Sequence, residues 1–252
     1  GQGIASERDH AAGADHGKEG ECHQEPQPGR GTEMQRDHGS LASRVAFHFT
    51  KKVLPHADYC LDFHTGGASR FNAAQIRIKP GDEKLLELAK IFNAPFTVYS
   101  NNIDKSYRNT CHRMGIPILL FEGGKSRESN KYIAKEGVDG ILRVLKHLDM
   151  LGNRHTAPEP LAPTVIIEKS KWVRAHRSGL LHVKIECNKR VEKGEFLATI
   201  TDPYGKMRFK VTAPNEGYII NVNQSPIVNQ GDAIFHISTV NSANLQDEEM
   251  ED

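Results

Sequence analysis

The chain has 252 residues, with 33 Lys and Arg, 32 Asp and Glu, and 37% hydrophobic residues. Its length allows one large domain or two modest ones, each able to bury a core. Its near-zero net charge provides no overall field that would attract nucleic acid or an anionic membrane. No apolar run reaches the roughly 20 residues of a membrane helix, and four scattered cysteines without a Cys-x-x-Cys pair indicate neither a disulfide framework nor a zinc knuckle. We expect a cytoplasmic protein with neither a nucleic-acid partner nor a membrane partner.

Residues 1–39 contain almost no large apolar side chains. Apart from Ala, Ile4 and Met34 are their only aliphatic residues, and four of the 13 histidines of the chain lie here. Such a segment cannot bury enough surface to offset the entropy that its ordering would cost. We expect it to be disordered or aberrant.

Residues 40–151 predict strands that alternate with helices. Helical spacing of apolar residues or strand-forming runs predict, in chain order, a helix at 41–53, strands at 58–64 and 74–78, a helix at 82–92, strands at 95–99 and 116–121, and a helix at 130–151. The run 116–121 is apolar throughout, which is typical of a strand covered on both faces. This alternation predicts a domain of the α/β class.

The rest of the chain predicts a second unit made of strands. Residues 152–164 form a Pro-rich linker, and residues 239–252 form a tail that ends in acidic residues. Residues 165–238 repeat themselves at an offset of 37 or 38 positions, so that Val173 corresponds to Val211 and Ile200 to Ile237. Two similar halves predict a small pseudo-symmetric all-β barrel or sandwich.

Two predicted strands end in residues that carry chemistry. His64 ends the strand at 58–64, and Asp62 shares its face because side chains alternate along a strand. A carboxylate beside an imidazole is how metal-binding histidines are oriented, although the pair is also common on surfaces. Glu122 follows the most apolar strand and is either a partly desolvated general base or a solvated loop residue. The positions of His64 and Glu122 favour a functional role for both residues, because open α/β sheets bind ligands at strand ends.

Several segments together resemble the succinylglutamate desuccinylase/aspartoacylase family, whose members are zinc-dependent amidohydrolases on a carboxypeptidase-like α/β fold. The α/β part supplies Asp62-Phe-His-Thr-Gly-Gly67, Asn72-Ala-Ala-Gln-Ile-Arg77 and Ile116-Pro-Ile-Leu-Leu-Phe-Glu-Gly-Gly124. The β unit, with residues 211–217 and 228–232, is similar to the C-terminal domain of the bacterial branch. The resemblance covers about residues 40–238.

The resemblance implies roles for individual residues. His64 matches the third zinc ligand, and Glu122 matches the carboxylate that takes a proton from water and delivers it to the leaving amine. Arg77 is a candidate for contacting a substrate carboxylate, because arginine pairs with carboxylates bidentately, but it is equally interpretable as an exposed strand charge. Zn²⁺ is the implied cofactor, and N-acyl amino acids are the implied substrates.

The first two zinc ligands of the family, an upstream His-x-x-Glu after an apolar strand, have no counterpart in that context. His16 and Glu19 have the spacing without the strand and are candidate ligands on spacing alone. An alternative is that residues up to about 30 are an out-of-frame reading. Residues 25–28 can be encoded GAA CCT CAA CCG, and a shift by one nucleotide gives the Asn-Leu-Asn-Arg that the family carries near this point. The sheet is accordingly predicted to be incomplete at its N-terminus.

Three hypotheses of function stay open. The first is a zinc-dependent hydrolase that cleaves the amide bond of an N-acyl amino acid or a related small carboxylate. Such an enzyme could also form a homo-oligomer. The second is a truncated or degenerate family member without activity, because one imidazole cannot hold zinc well. The third is a binding or carrier-like module, in which the β unit acts through the turn that contains Lys206.

Overall fold

The computed structural model describes residues 38–239, and four α-helices lie in that range. Each helix begins after a side chain that accepts a hydrogen bond from the backbone N–H three residues later, which satisfies one free donor of the first turn. The helices are α1 (Leu41–Lys52), α2 (Glu83–Phe92), α3 (Tyr107–Arg113) and α4 (Lys131–His147), and the caps are Ser40, Asp82, Ser106 and Asn130. A 3₁₀ turn (Leu54–His56) follows α1 at Pro55.

Three of these helices were predicted from the sequence, with small differences at their ends. The helix α4 ends at His147, four residues before the predicted end. The helix α3 was not predicted, because its seven residues are too few to show an apolar period. It is nevertheless the helix that brings a further charged residue to the site described below.

Thirteen strands form one nine-stranded and one four-stranded sheet in the described range. They are β1 (Cys60–Gly66), β2 (Arg70–Ile78), β3 (Phe96–Tyr99), β4 (Ile118–Lys125), β5 (Val165–Ile167), β6 (Ser170–Arg174), β7 (Gly179–Val183), β8 (Arg190–Val191), β9 (Phe196–Thr201), β10 (Arg208–Thr212), β11 (Gly217–Asn223), β12 (Ile227–Val228) and β13 (Ala233–Ser238). Six strands of the large sheet follow the order β1-β4-β2-β11-β13-β6; off this path, β3 pairs with β2 and β5, and β8 pairs with β11. The small sheet has the order β10-β9-β7-β12.

The long strand β2 joins the two parts of the large sheet. One of its edges pairs with β4. The other edge pairs with β11 at residues 70–72 and with β3 at residues 75–78, and the register with β4 shifts between Asn72 and Gln75. Strands β1 and β4 are parallel, whereas β2 runs antiparallel to both β4 and β11. The sheet is therefore mixed, and residues 217–223 continue it from the segment that was predicted as a separate β unit.

The two faces of the sheet differ in chemistry. On one face, Ile76, Leu119 and Phe121 pack against buried residues of α2 and α4. This burial is the main stabilisation of the α/β part, at roughly 25 cal/mol for each Å² of apolar surface removed from water. On the opposite face, residues of β1, β2 and β4 are polar near the ends of these strands and form the site described below.

The repeat seen in the sequence corresponds to one core. Both members of each matched pair, Val173 with Val211 and Ile200 with Ile237, are buried in the same cluster, to which strands of both sheets contribute. The fold of the described residues is a mixed α/β fold around a central sheet, as the alternation of elements predicted. The extent of each domain stays a prediction. Between residues 38 and 239, no helix combines the length and apolar character that crossing a bilayer would require.

Candidate active site

Strands β1 and β4 place His64 directly opposite Glu122 in their parallel register. Opposed residues of neighbouring strands project from the same face, so the two side chains share the polar face of the sheet. Neither residue ends its strand as predicted, because β1 continues to Gly66 and β4 to Lys125. The strand β1 thus includes Gly66, and β4 includes Gly123 and Gly124, the latter at a φ of +68°.

The imidazole of His64 is paired with Asp62 on the same strand. Nε2 of His64 lies 3.1 Å from Oδ2 of Asp62, and the two side chains are 39% and 22% exposed. This is the arrangement that the alternation along β1 predicts. It orients the ring, and it leaves part of the histidine accessible from solvent.

The glycine after this pair is needed for packing within the chain. A Cβ at Gly66 would lie 2.0 Å from the carbonyl oxygen of Arg70, so only glycine allows this approach of backbone to backbone. The group that approaches Gly66 is thus the backbone of the chain itself, at Arg70.

Two side chains of β2 hold the carboxylate of Glu122. Nε of Arg77 lies 3.5 Å from Oε1, and Nδ2 of Asn72 donates a hydrogen bond of 3.0 Å to Oε2. Arg77 is 8% exposed, so it is not the exposed strand charge that was its alternative interpretation. One oxygen of Glu122 thus accepts a hydrogen bond from Asn72, and the other lies within ion-pair distance of Arg77, whose Nε has no hydrogen-bond partner among the described residues.

A second buried arginine, Arg108 on α3, lies in the same electrostatic neighbourhood. Its guanidinium donates to Oγ and the carbonyl of Ser100 and to the carbonyl of Asn101. Burial and, to a smaller extent, the positive charge of Arg77 lower the pKa of Arg108 to about 10, against the effect of the carboxylates of Glu122 and Asp62. Arg108 therefore stays charged at neutral pH, and it interacts with Glu122 and Asp62 electrostatically while its hydrogen bonds go to Ser100 and Asn101. Neither Arg108 nor its seven-residue helix could be predicted from the sequence, because so short a helix shows no apolar period.

A row of side chains extends from the site along the large sheet, from β1 through β4, β2, β11 and β13 to β6, and we call it the polar row. It consists, in sheet order after His64 and Glu122, of Asn72, Asn221, His236 and Trp172. Nδ2 of Asn221 donates a hydrogen bond of 2.6 Å to Oδ1 of Asn72, and the ring of Trp172 is stacked on that of His236 at 4.3 Å. The last three residues come from the β unit, and no pattern in the sequence linked them to the site.

The imidazole of His236 is almost completely enclosed. Burial, with a smaller contribution from the positive charge of Arg77, lowers the pKa of His236 to about 3. Within residues 38–239, neither of its ring nitrogens has a hydrogen-bond partner. The ring is therefore neutral at physiological pH, and it contributes to the polar row as an uncharged stacking partner of Trp172.

The described part of the chain does not by itself provide a zinc site. No three His, Cys, Asp or Glu side chains between residues 38 and 239 come close enough to share a metal ion. His64 with Asp62 is one imidazole and its orienting carboxylate, whereas zinc in proteins takes three or four protein ligands. The candidates His16 and Glu19 lie outside the described residues.

A cavity of about 680 Å³ lies away from these residues. Its lining includes Phe71 of β2, Tyr132 of α4 and Cys187, but neither His64 nor Glu122. The cavity therefore does not indicate where a substrate would bind at the polar face.

Comparisons with known proteins identify relatives. The catalytic-domain model of succinylglutamate desuccinylases and aspartoacylases matches residues 23–148, which is half of the chain and starts before the residue 40 that the sequence analysis expected. A curated relative, the N-alpha-acetyl-L-2,4-diaminobutyric acid deacetylase of Halomonas elongata, is 26% identical over 215 residues. The match covers 80% of this chain but 62% of that relative, so the chain spans less than two thirds of it.

Solved structures show the same fold. The apo structure of the ectoine utilization protein EutE (DoeB) from Ruegeria pomeroyi superimposes with a TM-score of 0.70 at 23% identity, covering 81% of this chain and 67% of that one. A succinylglutamate desuccinylase/aspartoacylase structure from Rhodobacter sphaeroides gives a TM-score of 0.67 at 23% identity, covering 82% and 66%. These likenesses concern the fold alone. The match of the family model to half of the sequence shows that the chain belongs to the succinylglutamate desuccinylase/aspartoacylase family.

Proposed function

We propose that the chain acts in the hydrolysis of an amide bond in an N-acyl amino acid or a related small carboxylate. The observation that carries the proposal is the position of Glu122, opposite His64 and held by Arg77 and Asn72 on one polar face. The family match supports the reaction class, because its named members remove acyl groups. The name of the Halomonas relative makes N-alpha-acetyl-L-2,4-diaminobutyrate the first substrate to test.

Glu122 is the proposed general base and acid. Its carboxylate accepts a proton from the attacking water, and the protonated acid then donates that proton to the nitrogen of the leaving amine, so the residue ends the cycle unchanged. Its side chain is 18% exposed, so water reaches it while most of its surface is covered. Asn72 fixes Oε2 by donating to it, which limits the carboxylate to one orientation.

Arg77 and Arg108 are the proposed source of the positive charge that a substrate carboxylate requires. The guanidinium of Arg77 faces Glu122 through Nε, and a guanidinium has four further N–H groups in its planar fork. A substrate carboxylate could bind to these N–H groups, because guanidinium groups pair with carboxylates bidentately. Acylated amino acids carry such a carboxylate, whereas acylated amines do not.

Zinc dependence is a separate part of the proposal. In the described residues, His64 is the one candidate ligand that the resemblance names, so a complete site requires ligands from elsewhere, with His16 and Glu19 as the candidates. Elemental analysis of the purified full chain tests this part. About one zinc per chain, lost in both His64→Ala and His16→Ala but kept in His147→Ala, would support it, since His147 is exposed on α4. A chain that stays metal-free in excess zinc would instead favour the inactive family member.

The reaction itself is tested by release of free amine from N-alpha-acetyl-L-2,4-diaminobutyrate, an N-acetylated aspartate and an N-succinylated glutamate, with and without added zinc. The variant Glu122→Gln keeps the shape of the side chain and removes its ability to take up a proton. We expect it to lose at least about a hundredfold in rate, while Glu128→Gln, at an exposed carboxylate paired with Lys125, keeps the wild-type rate. Equal rates in the two variants, or no amine from any of the three compounds, would contradict the proposal.

A further inference from the structure

A chain of two hydrogen bonds connects the β unit to the carboxylate of Glu122. Asn221 on β11 donates to Asn72 on β2 over 2.6 Å, and Asn72 donates to Glu122 over 3.0 Å. We propose that Asn221 is a positioning residue for Glu122 and acts through Asn72. This inference rests on the proposed function of Glu122, and it assigns part of the catalytic geometry to a residue of the β unit.

The direction of both bonds follows from the chemistry of the groups. A carboxylate oxygen accepts hydrogen bonds, so Asn72 must turn its amide nitrogen towards Glu122. Its amide oxygen then points to β11, where it needs a donor, and Nδ2 of Asn221 is that donor. Asn221 therefore selects, of the two orientations of the Asn72 amide, the one that presents N–H rather than oxygen to Glu122.

The surroundings allow little alternative. Asn72 is 4% exposed and Asn221 is 3% exposed, so neither amide can readily exchange its partner for bulk water. Strand β11 pairs with β2 on one side and with β13 on the other, which fixes the backbone at Asn221. A buried amide that loses its partner incurs the full cost of desolvation, so the two bonds depend on each other.

The isosteric change Asn221→Asp tests this directly. The introduced carboxylate would have the shape of the asparagine amide but no N–H, so Asn72 would turn its nitrogen towards β11 and its oxygen towards Glu122. The matched control is Asn223→Asp, on the same face of the same strand. Asn223 is 9% exposed, and its side chain donates to the carbonyl of Ala233 and accepts from the backbone N–H of Ser225. Both changes bury a carboxylate, so both should lower the melting temperature.

Two readouts separate positioning from mere stability. In the folded full chain below the melting temperature, we expect Asn221→Asp to lower kcat for amide hydrolysis about tenfold to a hundredfold with KM changed less, as for a misplaced catalytic group. Asn223→Asp should leave kcat unchanged. In NMR spectra of chain labelled with ¹⁵N-asparagine, the side-chain amide signals of Asn72, assigned with Asn72→Ser, should shift in Asn221→Asp and stay in place in Asn223→Asp.

A second variant tests the inference without a change at Asn221 and without a measurement of activity. Replacing Glu122 by Gln removes the charge at one end of the chain of bonds, so the side-chain signals of both Asn72 and Asn221 should move, and Glu128→Gln should move neither. The inference would be overturned if the Asn221 signals did not shift in Glu122→Gln. Equal kcat values for Asn221→Asp and Asn223→Asp would overturn it as well. If the wild-type chain hydrolyses no amide, the proposed function fails and the NMR comparison still decides the inference.

Discussion

Nε of Arg77 lies 3.5 Å from Oε1 of Glu122, and the two side chains are only 9% and 18% exposed. Taking both charges out of water is costly, and their attraction offsets this cost only while both are present. Removal of either partner therefore leaves a largely buried charge without the oppositely charged group beside it. The pair differs in this from exposed pairs such as Lys146 with Glu159.

The first prediction concerns this pair. Arg77→Met keeps most of the volume of the side chain but leaves the carboxylate of Glu122 without its cation. We expect the free energy of unfolding, measured by urea titration, to fall by about 3–5 kcal/mol. Lys146→Met, which breaks an exposed pair, should cost about 1 kcal/mol or less. Similar losses in the two variants would show that the Arg77 pair is screened by solvent.

The second prediction concerns pH. The pKa of His236 is lowered to about 3 in the folded chain, whereas an unfolded histidine has a pKa of about 6.5. Between these pKa values the unfolded chain binds a proton at this residue that the folded chain does not bind. The free energy of unfolding therefore falls as the pH drops below about 6.5, and it is unaffected by this residue at higher pH. From pH 7 to pH 5 its contribution to the loss is about 2 kcal/mol. His236→Phe, which can keep the stack on Trp172, should flatten the dependence of unfolding free energy on pH by this amount.

The control for the pH prediction is His176→Phe, at an exposed histidine of the same β unit. It should keep the wild-type slope between pH 7 and pH 5. If His236→Phe and wild type lose stability in parallel, His236 takes up its proton in the folded chain, and the enclosure of its ring is incomplete.

The third prediction concerns the contact between α2 and α4. A Cβ at Gly140 would lie 2.2 Å from the ring of Phe92, which is completely buried. Helix propensity alone would make alanine more favourable than glycine by about 1 kcal/mol at this position. We expect the clash to outweigh this gain, so Gly140→Ala lowers the melting temperature, with a cost of about 1–3 kcal/mol. Gly152→Ala, where no atom lies within 4 Å, should be nearly neutral, and a more stable Gly140→Ala would contradict the packing.

The fourth prediction concerns the turn after His64. Gly66→Ala would bring a Cβ to 2.0 Å from the carbonyl oxygen of Arg70, and backbone cannot move aside as a flexible side chain can. We expect about 3 kcal/mol of destabilisation or more, because the end of β1 and the start of β2, which this turn joins, must move apart. Limited proteolysis in native buffer should show faster cleavage near residues 66–70 than in Gly152→Ala. Unchanged cleavage would mean that the turn can adjust.

Much of the fold could be predicted because its signals are local. The helix α2 is marked by apolar residues at helical spacing and by Asp82 as its cap, and both features lie within about ten residues. The apolar run of β4 and the alternation along β1 likewise placed Glu122 and the pair of His64 with Asp62. The short helix α3 has no such period, so Arg108 was missed with it. The register of β1 with β4, which sets His64 opposite Glu122, is a property of two strands that are distant in the chain and could not be read from either.

The sequence by itself determined the class of the fold, the family and the two residues at the centre of the candidate site, since short motifs and local periods carry that information. Tertiary structure alone decided what holds Glu122 in place. Arg77 lies beside it because β2 runs antiparallel to β4, and Asn221 reaches it through Asn72 because β11 continues the same sheet. Hydrogen bonds between strands that are distant in the chain depend on pairing and register, and these arise only when the whole sheet assembles.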